Sequence, residues 1–186
     1  MRVRELIAVA ALVACSKHHD APVKHLESDV VPRAQAAVTI DGNWEEPEWS
    51  HRAWRAQFTG SDGQLARPSS EIRVLHDDHD LLVALYAADE NIETRDAFDF
   101  AAGPVSLRVD ATGKLTPAVP GVRAKAGLDE GTLDDARDDD EEWVIELAIP
   151  LAQIGPSPVA IQAARCDVPK DNVQRCGQWS GRVRLE

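Results

Sequence analysis

The stretch Trp143-Val144-Ile145-Glu146-Leu147-Ala148-Ile149-Pro150 leaves a chain like this few choices. Its odd positions, Trp143, Ile145, Leu147 and Ile149, are large and apolar, while the even ones are smaller or charged. A period of two residues is that of a strand with one buried face. Pro150 has no N–H for a sheet ladder, so pairing should stop there, and Leu151-Ala152-Gln153-Ile154-Gly155 then reads as one helical turn closed by glycine. The buried face of such a strand needs partners from elsewhere in the chain.

Candidates recur at strand spacing. Residues 38–40 before Asp41-Gly42 read as a strand and turn. Residues 71–91 read as a hairpin: Ile72 and Val74 alternate with charged neighbours, a polar His76-Asp77-Asp78-His79-Asp80 turn follows, and the return run 81–87 is apolar enough to be buried on both faces. Val105, Leu107 and Val109 give another half-buried strand, Val122, Ala124 and Ala126 a weaker one, and residues 159–165 and 182–185 two more. Asn43, with Glu46 three residues on and Pro47 early, opens a short capped helical segment through about Ala53, on which Trp49 is an anchor against a sheet. Seven or eight short strands separated by turns predict an all-β fold: a two-sheet sandwich with one short helical segment near the N-terminus of the domain. The 186 residues suit one such domain plus a tail. A net charge of −12, from 32 acidic and 20 basic residues, opposes a nucleic-acid partner, because no basic patch is there to displace counterions.

The first residues belong to export rather than to the fold. Arg2 and Arg4 precede an apolar run, residues 6–14, that is too short to span a bilayer and ends in Leu12-Val13-Ala14-Cys15. That ending resembles a bacterial lipobox, with an ordinary signal peptide that contains a cysteine as the alternative. The resemblance implies removal of residues 1–14, acylation of Cys15 and an exported, membrane-held lipoprotein, expected at the outer membrane on its periplasmic or surface face. Residues 15–36, polar and with two prolines, read as a tether to a sandwich over 37–186; about 20 flexible residues reach roughly 25 Å. If Cys15 carries lipid, Cys166 and Cys176 remain as an expected disulfide in an oxidising compartment, two free thiols being the alternative.

Three blocks in order resemble the family 9 carbohydrate-binding modules. Ile40-Asp41-Gly42-Asn43-Trp44-Glu45-Glu46-Pro47-Glu48-Trp49 is similar to the family's I-D-G-x-x-x-E-x-x-W start. The hairpin over residues 74–89 resembles its second block, and Gly131-Thr132-Leu133 with residues 138–150 its G-T-L…D-x-x-W-x-v-E-x-A-I-P block. The resemblance implies an immunoglobulin-like β-sandwich that grips sugars between two exposed aromatic rings and carries structural calcium. A pyranose presents an apolar face that stacks on a ring, while its hydroxyls take polar partners. The family's middle section, which bears one gripping tryptophan beside an acidic residue, is shortened here to residues 95–103 and holds phenylalanines only. Candidate platforms are therefore Trp44, Trp54, Phe98, Phe100 and Trp179. Residues 129–142 hold nine carboxylates, and hard oxygen ligands of this kind suit calcium, with Asp138, Asp139 and Asp140 as the named ligands. No Gly-x-Ser-x-Gly, His-Glu-x-x-His or phosphate-cradling glycine loop occurs, so no catalytic residue is nominated. The expected function is a non-catalytic, lipid-anchored module that binds a polysaccharide or glycan through exposed aromatics. The alternative is a structural lipoprotein that keeps the sandwich, has lost sugar binding and meets a protein partner.

Overall fold

The computed structural model of the chain describes residues 29–129, 131–135, 137, 140–168 and 173–186. Among these, the strands are β1 Val30–Val31, β2 Trp54–Gln57, β3 Ser70–His76, β4 Asp80–Ala88, β5 Ala97–Ala102, β6 Val105–Asp110, β7 Leu115–Thr116, β8 Arg123–Asp129, β9 Glu142–Pro150, β10 Val159–Asp167 and β11 Arg175–Leu185. Helical turns occur at Glu48–Arg52 and Leu151–Ile154. One sheet has the order β1-β11-β10-β5-β6-β7 and the other β2-β3-β4-β9-β8, and the two pack face to face as the expected sandwich. Alternating residues of each strand meet between the sheets: Ile72, Val83, Leu85, Trp143, Ile145 and Leu147 from one side, and Phe98, Phe100, Leu107, Val109 and Ile161 from the other.

The Trp143 stretch is β9, paired with β4 on one side and β8 on the other, and the turn after Pro150 ends at Gly155 (φ +79°). One expectation for it fails. Its even positions Val144, Glu146 and Ala148 are buried as well, because residues 34–53 cross the outer face of the five-stranded sheet and cover it. Trp49, Ala53, Val38, Ile40 and Trp44 lie there against Leu75, Leu82, Ala84 and Ala148, forming a second, smaller apolar layer. Residues 38–40 are consequently not a strand, since the sheet they lie on offers side chains rather than an edge. Their neighbourhood is held by carboxylates: Gln35 and Ala36 N–H donate to Glu48 (3.2 Å each) and Thr39 N–H to Glu46 (3.2 Å). The helical segment is shorter than expected and starts after Pro47 with no side-chain cap. Asn43 instead accepts the Glu45 N–H (3.1 Å) in the preceding turn.

Residues 29–36 also depart from the tether reading. Val30 and Val31 pair in parallel with Arg184 and Leu185, and Val31 is fully buried, because the end of β11 has an open edge that an apolar side chain can close. Val30 and Val31 thus form an edge strand of the six-stranded sheet.

Glu146 fixes how the covering segment sits. Its Oε2 accepts the N–H groups of Asp41 (2.8 Å) and Gly42 (2.7 Å), and its Oε1 accepts the indole N–H of Trp49 (2.7 Å). The loop at Gly42 (φ +89°) lies directly on β8: a Cβ at Gly42 would meet the Ala126 carbonyl oxygen at 2.5 Å, and one at Gly127 would meet the Gly42 carbonyl oxygen at 2.0 Å. Glycine is required on both sides of that contact. Replacing Glu146 by alanine strands three N–H donors in a site without water, each costing about 1–3 kcal/mol. Glu146→Ala is therefore expected to lower the unfolding free energy by about 3 kcal/mol or more, read from urea melts.

Candidate functional site

The outward residues of the six-stranded sheet line up in two rows across four strands. Ser106, Ala101, Gln162 and Ser180 form one, and Arg108, Asp99, Ala164 and Gln178 the next. Each row has an alanine on one of the two central strands, Ala101 on β5 and Ala164 on β10, and polar side chains at its other positions. The small residues leave a groove of two joined clefts, about 260 Å³ and about 440 Å³, which share Asp99 and Ala164. Crossing four strands, it spans roughly 14 Å. Its far end is closed by the expected disulfide: Cys166 and Cys176 are directly opposed on β10 and β11, bonded, with Cα atoms 4.0 Å apart.

The groove's exposed charges are two arginines and one carboxylate. Arg108 Nη1 lies 3.3 Å from both oxygens of Asp99, Nη2 lies 3.5 Å from the Arg95 carbonyl, and Arg95 itself pairs with Glu93. Beneath this surface sits a buried polar centre, where the Arg165 guanidinium contacts Asp89 and lies 3.4 Å from Asp167, with Asp96 alongside. Burial pushes Asp89 up to about 6 against the pull of Arg165, and burial likewise raises Asp96 and Asp167.

Of the five nominated aromatics, three are not platforms. Trp54, Phe98 and Phe100 are 7%, 0% and 2% exposed; they point between the sheets, where large rings fill the most volume. Phe98 packs on Phe58 (6.0 Å) and Trp143 (5.1 Å). Trp179, half-buried, stands opposite Ala163 on the inward side of β11. Its ring packs edge-on against Trp54 (4.8 Å) and lies so close to Gly181 that a Cβ there would meet it at 2.6 Å. Trp44 is half-buried on the other sheet, stacked on Tyr86 (4.9 Å, 10° between planes) with the Arg73 guanidinium 3.7 Å from its centroid. It borders a separate cleft of about 330 Å³ with Asp41, Asn43, Glu45, Asp129 and Glu142. Trp44 and Trp179 stand on different sheets, so no pair of rings faces across a cleft among the described residues.

Asp99, Arg108, Gln162 and Gln178 were not nominated from sequence. The available signal was Asp99 and Gln162, each two residues from an alanine, Ala101 and Ala164, on the solvent side of its strand.

Cys15, Asp138 and Asp139 lie outside the described residues. Asp140 is buried; its Oδ2 accepts the Ile92 N–H (2.6 Å), while its Oδ1 has no donor among the described residues. Two further carboxylate groups come together, Asp41–Glu46–Glu146 and Asp89–Asp96–Asp167. Neither suits calcium: Glu146 is engaged by three N–H donors, and the second group already surrounds a guanidinium.

No protein-family model matches the sequence, and neither does any curated protein. Solved structures do match the fold. A family 9 carbohydrate-binding module from Caldicellulosiruptor kristjanssonii in complex with cellotriose aligns with a TM-score of 0.59 at 11% identity, over 84% of this chain and 93% of that one. A structure of such a module from the same organism in complex with glucose gives 0.58 at 12%, over 84% and 95%. A Bacteroides uniformis protein, described as a candidate carbohydrate-binding protein, gives 0.57 at 12%, over 84% and 98%. The chain thus has the fold of a family 9 carbohydrate-binding module.

The buried carboxylates set a pH dependence. Glu146 is pushed up to about 7 by burial, against the three donors that hold it, and Asp89 to about 6. Between the ordinary carboxylate range near 4 and these values, the folded chain keeps protons that the unfolded chain releases. This stabilisation is complete below the unfolded range and is lost as pH rises through about 6 to 7. Thermal melts are expected to give a higher Tm at pH 5 than at pH 8.

Proposed function

We propose that this domain is a non-catalytic carbohydrate-binding module whose ligand lies across the outer face of the six-stranded sheet. The observation that carries this reading is the groove itself: two aligned rows of amide, hydroxyl and charged side chains over an alanine floor. Sugar hydroxyls need donors and acceptors along an extended, shallow surface, and Gln162, Gln178, Ser106, Ser180 and Asp99 supply both. β5, from the segment whose counterpart bears a gripping residue in the modules this chain resembles, contributes Asp99 and Ala101 to the groove. Structural modules of this fold in complex with cellotriose and glucose support the same ligand class.

Native gels containing a panel of polysaccharides, run with calcium and with EGTA, test the reading on the full chain in mild detergent. Retardation by at least one glycan is expected, reduced about tenfold or more in a Gln162→Ala/Gln178→Ala variant. Unchanged mobility of folded protein in every gel would overturn it. Calcium enters this reading only through Asp140, whose donor-free buried oxygen would face the ion; the EGTA lanes report on it.

A second reading is favoured by the absence of facing rings among the described residues: a sandwich that keeps the fold, has lost sugar binding and meets a protein instead. Both readings include a lipid anchor at Cys15, supported by Leu12-Val13-Ala14-Cys15. Radiolabelled palmitate is expected to enter the chain and not its Cys15→Ala variant; no label in either would remove the anchor.

A further inference from the structure

Resting on the carbohydrate reading above, we infer that the groove's ligand is an acidic glycan, one whose sugars carry uronate carboxylates. The protein is strongly acidic, with a net charge of −12, yet the exposed charges lining the groove, among the described residues, are Arg95, paired with Glu93, and Arg108, facing Asp99. The carboxylates nearest beneath are otherwise engaged: Asp96 accepts the Glu93 N–H (2.7 Å), and Asp89 and Asp167 face Arg165.

The geometry of Arg108 makes it receptive to an incoming carboxylate. A guanidinium binds a carboxylate best as a fork, two parallel N–H···O bonds of about 2.8 Å. Arg108 does not achieve this with Asp99, since one nitrogen addresses both oxygens at 3.3 Å and its second nitrogen rests 3.5 Å from a carbonyl. A uronate lying over Ala164 approaches the same guanidinium from the solvent side, where the side chain is half exposed. Gln162, Gln178, Ser106 and Ser180 then meet the hydroxyls of neighbouring rings along the two rows. A neutral glycan satisfies these amides and hydroxyls but leaves the arginines paired as they are. The acidic glycan uses both parts of the groove.

The test separates charge from sugar. Native gels are cast with polygalacturonate, with its fully methyl-esterified form, and with a neutral cellulose derivative; the first two share a backbone and differ in carboxylate charge. The full chain is expected to be retarded at least tenfold more strongly by polygalacturonate than by the ester, with the difference shrinking as salt rises. Arg108→Ala should lose most of that difference, and Arg108→Lys, which keeps the charge without the fork, should retain an intermediate share. Equal or stronger retardation by the ester or the neutral polymer overturns the acidic preference and leaves the carbohydrate reading standing. No retardation in any gel overturns both.

Discussion

The fold depends on one buried carboxylate. Glu146 stands on the outward side of β9, where a sandwich strand ordinarily meets water, and it is dry because residues 34–53 lie over it. A buried carboxylate is tolerable only when its oxygens are occupied, and three N–H donors from that covering segment occupy them. The dependence runs both ways. Without Glu146 the N–H groups of Asp41 and Gly42 and the Trp49 indole N–H lose their acceptor, and without those donors the Glu146 carboxylate is unpaired. The five-stranded sheet therefore carries an apolar layer on each side, and the domain consists of two cores separated by one sheet.

Much of this was legible in the sequence, and the failures have a common cause. The two-residue period of β3, β6 and β9 named their core faces correctly, because alternation reports burial between the sheets, and the apolar run of β4 named its burial on both sides. It could not report the second layer, since Val144, Glu146 and Ala148 become buried only through a segment a hundred residues away in sequence. The same segment explains residues 38–40, whose Val and Ile resemble a strand but serve as a lid. Trp54, Phe98 and Phe100 were nominated as platforms on residue type alone, although the alternation of Trp54-Arg55-Ala56-Gln57 and of Phe98-Asp99-Phe100 is that of the strands, β2 and β5, that turn them inward. The groove was invisible for the opposite reason: it is made by what is small, at Ala101 and Ala164, and by the registry of β6, β5, β10 and β11, which no single segment encodes.

The two faces of the molecule consequently have different characters. On the five-stranded sheet the aromatic side chains Trp44 and Tyr86 stack on one another and with Arg73, consuming ring surface in packing. On the six-stranded sheet the rings point inward, and the outer face is left to amides, hydroxyls and guanidinium groups. The absence of facing rings among the described residues and the polar groove are thus two aspects of one placement of large side chains, which go to packing.

The parallel pairing of Val30 and Val31 with Arg184 and Leu185 has a directional consequence. The N-terminal segment joins the sandwich beside the last residues of the chain, whereas the cystine lies eight residues back along β11, roughly 26 Å away. The rows of the groove cross the strands between these two poles, with the arginine-flanked cleft next to the cystine. Because the pairing is parallel, β1 and β11 run in the same direction and end together at the pole opposite the cystine.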